Sequence, residues 1–203
     1  MAGKEARPPG RPRAYDAEAA LDRAAEVFWA NGFSATSLDD LSAAMGMGRP
    51  SIYNAFGDKE ALFLRALERF RDTVAGTPLR AFESADTIAD ALDAFFRQTV
   101  EYTTADPSHL GCLLVNVAPA TDSHDVRRFL RDTLAGVEEL IAERLRSAAA
   151  SGELPPGYRG QEGARRAVNL MLSLGARARM GTPREELLRD AAAAPALVIG
   201  AQP

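Results

Sequence analysis

Apolar residues along this chain recur at three- and four-residue steps and almost nowhere at two. That is the period of helices, not of strands. β-branched residues are sparse and alanine, leucine, arginine and glutamate dominate, so the pattern predicts an all-α fold of about nine helices. In the run from Asp16 to Asn31, Ala20, Leu21, Ala24, Ala25, Val27 and Phe28 form one stripe, which Gly32 stops. TSLDDLSAAMG opens with Ser37 three residues before Asp40, a capping-box spacing, and closes at Gly46. Asp58 caps a fourth helix, whose stripe Leu62, Phe63, Ala66, Leu67, Phe70 and Val74 reaches about residue 75.

Between the second and fourth helices the chain reads GRPSIYNAFG, a two-turn helix over 49–56 pinned by glycines. Isolated helices of that length are marginal in water. At 100° per residue, Ile52 and Phe56 share one side, while Pro50, Ser51 and Asn54 lie opposite and Arg49 and Tyr53 flank the apolar pair. Two anchors hold it down and a polar face points out. Helix, glycine turn and short helix is the helix-turn-helix arrangement, whose second helix enters a DNA major groove. Tyr53, Lys59 at the start of the fourth helix, and Thr36 and Ser37 at the start of the second are then candidate phosphate contacts. Arg49 could fork onto a guanine edge or hold a phosphate; Asn54 could read an adenine. A solvated polar face on an ordinary helical bundle is the plain alternative.

Beyond Gly76, GTPLRAFESAD reads as a loop or frayed join. Helices are expected over 87–105, 112–118, 125–151, 161–180 and 183–199, with Pro195 kinking or ending the last. Breaks fall at DPSHLG, PATDS, SGELPPGYRG and MGTP. The division is a disordered basic arm over 1–13, a helix-turn-helix unit over 14–60, and a larger bundle over 61–203 that the helix 59–75 connects to it.

Composition alters this picture little. The chain has 203 residues, 46% hydrophobic and 26% charged, enough for a sizeable core. Net charge is −4, so overall charge does not advertise nucleic acid. Its placement does, because Lys4, Arg7, Arg11 and Arg13 face only Glu5 in the first thirteen residues. Arg11 and Arg13 are candidate minor-groove or phosphate contacts, against a plain solvated tail. The opening residues lack the apolar stretch of a secretory signal, no apolar run reaches a membrane span, and one cysteine forms no internal disulfide. The expectation is a cytoplasmic protein with no membrane partner. No Gly-x-Ser-x-Gly, His-Glu-x-x-His, Cys-x-x-Cys or phosphate-binding lysine loop occurs, so nothing points to an enzyme, a cofactor or a structural metal.

The segment ALDRAAEVFWANGFSATSLDDLSAAMGMGRPSIYNAFGDKEALFLRAL resembles the DNA-binding domain of the TetR/AcrR family of bacterial transcriptional regulators. Its Gly-Phe-x-x-Thr-Ser entry, its Met-Gly-x-x-x-x-Ser-Ile-Tyr-x-x-Phe-x-x-Lys-Glu-Ala-Leu exit and their spacing carry the resemblance. It implies an Ω-shaped homodimer on a palindromic double-stranded DNA operator and a C-terminal domain for a small-molecule effector and dimerisation. By resemblance, Thr36, Tyr53 and Lys59 match phosphate contacts, and Arg49, Pro50, Ser51 and Asn54 match the recognition face. A repressor released by its effector is the expected mode; a helical carrier that binds no DNA is the rival.

In the larger half, Phe95, Phe96, Thr99, Tyr102, Cys112, Leu113, Asn116, Phe129, Leu130 and Leu134 are candidate cavity residues, with Asn169 and Ser173 facing in. Few charges interrupt the set, so an apolar or aromatic effector fits it. Ala164, Val168, Met171, Leu172, Gly175, Leu187, Leu188 and Ala191 are candidate dimer contacts, some of them shared with the core. GCLLVN, at 111–116, places the one cysteine within sixteen residues of both histidines, His109 and His124. Cys112 can be read as a buried space-filler, as an oxidant- or electrophile-sensing thiol at a helix start, or as part of a soft-metal site.

Overall fold

Five helices begin where a side chain takes up free N–H groups, while the short helix after Gly48 and the one after Gly76 start without such a cap. Asp16 accepts from Glu18 and Ala19, Asp58 from Ala61, Thr87 from Asp90 and Ser123 from Val126. Ser37 and Asp40 complete the capping box in both directions. The structure, a computed structural model, describes residues 16–107 and 110–200. Nine α-helices occur among them: α1 Ala17–Ala35, α2 Leu38–Met45, α3 Arg49–Phe56, α4 Lys59–Phe70, α5 Thr77–Ser84, α6 Ile88–Thr103, α7 His124–Ser151, α8 Gly160–Arg179 and α9 Arg184–Ile199. A π-helical turn, Arg71–Ala75, links α4 to α5. A second, Leu113–Val117, and a 3-10 turn, Ala118–Ala120, lie between α6 and α7. Regular helix in α1 breaks at Gly32, where φ is 79°, the place where the apolar stripe stops.

Two expectations need correction and a third, on Pro195, is narrowed. GTPLRAFESAD is not a loop; Thr77–Ser84 is the two-turn helix α5. Gly76 and Pro78 read as a break, but proline is at home in a first helical turn. Burial of Phe82, whose ring meets Phe95 edge-on at 6.0 Å, holds so short a helix. The 112–118 segment is a π turn followed by a 3-10 turn, not a short α-helix. Pro195 does not end α9, which continues through it to Ile199.

Two buried clusters make the core. The first joins α1–α4 through Phe28, Leu41, Ile52, Phe63 and Leu67, and it also contains Cys112, Leu113, Leu114, Val117, Ala118, Val126 and Leu130. The second joins α5, α6, the later turns of α7, α8 and α9 through Phe82, Phe95, Phe96, Ile141, Leu145 and Leu187. The packing boundary therefore does not follow chain order. The 112–118 turn and the first turns of α7 pack on the head formed by α1–α4.

Candidate nucleic-acid interface and ligand cavity

The α2–α3 turn is set by Gly46, which is left-handed at φ 63°, and by the Ser42 hydroxyl donating to Met47 O. Ile52 and Phe56 anchor α3, at 0% and 5% exposure. Each such burial contributes about 1.5–3 kcal/mol, enough to hold two turns that would not persist alone. The opposite face is open. Arg49, Pro50, Tyr53 and Asn54 are exposed, and Ser51 is half-buried at its edge. Arg49 is not free there: its Nε donates to Asp39 Oδ1 at 2.7 Å and its Nη2 donates to Asp39 Oδ2. The pair raises the arginine pKa and holds the aspartate carboxyl below its usual range, chiefly through that hydrogen bond.

Behind this face the head is tied together. Arg69 on α4 donates to Asp22 at 2.8 Å and to Glu18 at 2.9 Å, both on α1. Lys59 Nζ donates to Thr36 O at 2.7 Å and lies 4.4 Å from the centroid of the Phe33 ring. Thr36 is buried, and its hydroxyl donates to Gly32 O at 2.7 Å. Its expected hydroxyl contact to phosphate is corrected accordingly: the side chain closes the α1–α2 corner. Ser37 is exposed, but its hydroxyl serves the capping box. Arg11 and Arg13 lie outside the described residues.

A cavity of about 350 Å³ opens in the larger half, at the small end of ordinary ligand sites. Arg71, Ala75, Gly76 and Leu79 form one wall; Tyr102, Cys112, Leu114 and Val115 form the next. Asp132–Leu134 and Gly136, Val137 and Leu140 of α7, with Met171 and Gly175 of α8, close it. The lining is mainly apolar. Its polar points include Thr133, whose buried hydroxyl has no hydrogen-bond partner among the described residues, and the Tyr102 phenol. Burial raises the phenol pKa well above its ordinary value, and burial raises the Cys112 thiol as well. The thiol's hydrogen bonds to Tyr102 and to the backbone at Val115 and Leu114 act the other way without reversing the shift. The helix-start argument for an acidified thiol is corrected on that ground: a five-residue π turn offers little dipole and no solvent.

GCLLVN folds around the asparagine. Asn116 Oδ1 accepts from Cys112 N at 2.7 Å and closes the turn. Gly111 sits at φ 82°, where a Cβ would come within 2.8 Å of that oxygen and 2.9 Å of Arg179 Cβ. The motif thus docks the turn on α8 and presents Cys112 to the cavity.

Residues 20–66 match the bacterial regulatory proteins, tetR family, and residues 89–194 match the tetracyclin repressor-like C-terminal domain. The chain belongs to the TetR family. It is 34% identical over 150 residues to the HTH-type transcriptional repressor ComR of Escherichia coli K12, covering 72% of this chain and 71% of ComR. It is 29% identical over 122 residues to the repressor BdcR of the same organism, 60% of each chain. Among solved structures it resembles the TetR-family regulator CifR, solved as a cysteine mutant in complex with 26-bp double-strand operator DNA. That match has TM-score 0.83 and 33% identity over 91% of this chain and 98% of that one. It is a DNA-binding, non-catalytic regulator, as its family is.

Within that TetR frame several candidates move. Tyr102, Cys112 and Leu134 line the cavity. Phe95, Phe96 and Thr99 do not; they are buried in the second core, because the strongest aromatic stripe of α6 packs inward. Leu113 and Leu130 are buried in the head's core, and Phe129 stacks beneath the Arg71 guanidinium at 5.2 Å. Asn169 and Ser173 are exposed on α8 and do not face in. Of the dimer candidates, Ala164, Val168, Leu187 and Ala191 are buried within this chain, and Met171 and Gly175 line the cavity. Leu172 and Leu188 are half-buried. The exposed positions of α8 and α9 include instead Asn169, Ser173, Ala192, Ala193, Ala196 and Leu197, the last 58% exposed, with exposed Arg165 and Arg189 one turn before them. AAAAPAL is apolar at every position, so no periodicity could tell inward from outward there. The sequence signal for the cavity was the apolar spacing Leu134, Val137, Leu140 and Ile141 on α7, of which Ile141 is buried in the core and the first three line the cavity.

His109 lies outside the described residues, and His124 is exposed while Cys112 is buried. Among the described residues no three His, Cys, Asp or Glu side chains gather as metal ligands, and no helix is long and apolar enough to cross a membrane.

Proposed function

We propose that this protein is a repressor that binds a palindromic operator as a homodimer and leaves it when a small, largely apolar or aromatic effector fills the cavity. One observation carries the reading. The turn that walls the cavity with Cys112, Leu114 and Val115 also buries Leu113, Val117 and Ala118 in the head's core. A guest that displaces this wall acts directly on the packing that orients α3. A second route runs along α4, whose C-terminal extension supplies Arg71 and Ala75 to the cavity. The effector shifts the equilibrium only by its affinity difference between the two head arrangements. Thr133 and Tyr102 suit a guest with one or two polar atoms on an apolar frame. ComR and BdcR are named as repressors, and CifR was solved in complex with operator DNA, which supports the operator-binding repressor part of this reading. The small-residue face of α8 and α9 suits close pairing across a two-fold axis.

The test is binding of the purified protein to DNA upstream of its own gene at two salt concentrations, beside a Tyr53→Phe, Asn54→Ala variant. Specific, salt-sensitive binding that the variant loses supports the reading. Absence of specific binding there and in a genome-wide duplex selection overturns it. Cross-linking the two heads at the DNA-bound spacing should abolish induction, and induction that persists would refute the release mechanism.

A further inference from the structure

Asp39 stands at the recognition face, two residues past the Ser37 cap of α2, and takes both the Nε and Nη2 hydrogens of Arg49. Neither partner is buried: the side chains of Arg49 and Asp39 are 55% and 71% exposed. An exposed pair of this kind contributes little to stability, so the fold alone does not account for it. Arginine has five donors in a rigid fork. With Nε and one Nη2 hydrogen committed to the carboxylate, Nη1 and the other Nη2 hydrogen remain as a parallel pair pointing outward. That edge matches the O6 and N7 acceptors of guanine in the major groove.

The carboxylate also decides between the two uses of Arg49. A phosphate oxygen on the free edge would bring a second full negative charge close to Asp39. Guanine acceptors are neutral and bring none. The repulsion grows as the interface closes and water leaves.

We propose that Asp39 is a specificity-determining positioning residue: it fixes the Arg49 fork for a guanine and excludes that arginine from the DNA backbone. The proposal rests on α3 being the DNA-reading helix.

Wild-type protein, Asp39→Ala, Asp39→Asn and Arg49→Ala are each equilibrated with a pool of randomised duplexes, and the enriched site is then titrated at several salt concentrations. Wild type should enrich a site with one guanine per half that Arg49→Ala no longer requires, at a cost of about 5- to 150-fold for replacing it. Asp39→Ala should lose at least fivefold of that discrimination and bind random duplex more tightly, because a negative charge has left the face. Asp39→Asn should fall between the two. The salt slope of Arg49→Ala should equal that of wild type. Unchanged melting temperatures would separate these effects from misfolding.

If Asp39→Ala keeps full guanine discrimination, the proposal is overturned. It is equally overturned if Arg49→Ala makes the salt slope shallower by about 0.9 per protomer with no change in preferred sequence, the behaviour of a phosphate contact. If wild type enriches no site, the DNA-reading assignment of α3 fails and takes this proposal with it.

Discussion

Gly111 and Cys112 adjoin one another and pose opposite constraints. At Gly111 the backbone is left-handed and a Cβ would strike Asn116 and Arg179. Gly111→Ala should therefore destabilise the fold by about 1–3 kcal/mol, read as a fall in Tm of roughly 2–4 °C for each kcal/mol. Cys112 has its thiol pKa raised by burial. Its folded pKa lies above its unfolded one, so the contribution to stability is complete below the unfolded pKa and is lost as pH rises through the folded pKa. Alkylation by iodoacetamide at neutral pH should accordingly be much slower than in urea-unfolded protein and should accelerate only on the alkaline side. Alkylated protein that binds its operator unchanged would rule out a thiol sensor. At this scale the sequence was legible where a wheel has two clear sides, as in α3: Ile52 and Phe56 are buried and Tyr53 and Asn54 exposed. It was not legible where a polar residue has two good uses. Thr36 and Lys59 both suit a phosphate by their position in the chain, yet Thr36 turns inward and Lys59 bridges to its carbonyl.

Between elements, the join of head and body rests on a few side chains. Ser123 caps α7 by accepting from Val126 N at 3.1 Å, and its hydroxyl donates to Glu60 Oε1 at 2.5 Å in the first turn of α4. One hydroxyl thus fixes the start of α7 and ties it to α4, the helix that follows α3. Ser123→Ala should cost about 0.5–2 kcal/mol by chemical denaturation, the range for a missing cap. Asp58→Ala removes a cap of the same kind on α4 with no tie to the body. If the tie matters, only Ser123→Ala should increase hydrogen exchange in both α4 and the 118–123 segment. Helix starts of this sort were readable because a cap is a local event, one side chain meeting a backbone N–H three residues on. Neither α5 nor the π turn at 113–117 was readable. α5 opens on Gly76 and Pro78, which read locally as a break although proline suits a first helical turn, and the turn at 113–117 is shaped by what it packs against: α8 through Gly111 and Asn116, and the head through Leu113 and Val117.

Charge and symmetry are properties of the whole molecule, and here they pull apart. Between residues 14 and 60 the chain carries Asp16, Glu18, Asp22, Glu26, Asp39, Asp40, Asp58 and Glu60 against Arg23, Arg49 and Lys59. An acidic head is a poor electrostatic match for a phosphate backbone, and Arg49 and Lys59 already have partners within the protein. The cations able to offset this sit in the first thirteen residues: Lys4, Arg7, Arg11 and Arg13. Deleting that arm should lower operator affinity and make the salt dependence shallower by about 0.9 in slope for each phosphate the arm had neutralised, while leaving Tm unchanged. An arm that was only a solvated tail would leave both titrations as they were. Symmetry supplies the rest of the affinity. One two-turn helix reads few bases, and two heads on a rigid dimer make the second binding event intramolecular, which multiplies affinity by about 10²–10⁴ when the spacing fits. Leu197 stands out from α9 among Ala192, Ala193 and Ala196, where a partner's matching face would cover it. Leu197→Arg would place like charges face to face across a two-fold axis without disturbing the monomer's own core, since the side chain is already in solvent. The variant should stay folded, run as a monomer by light scattering, and lose at least a hundredfold in operator affinity. A variant that still dimerises would move the two-fold axis to another face, and a monomer that binds as tightly as wild type would remove the dimer from the mechanism.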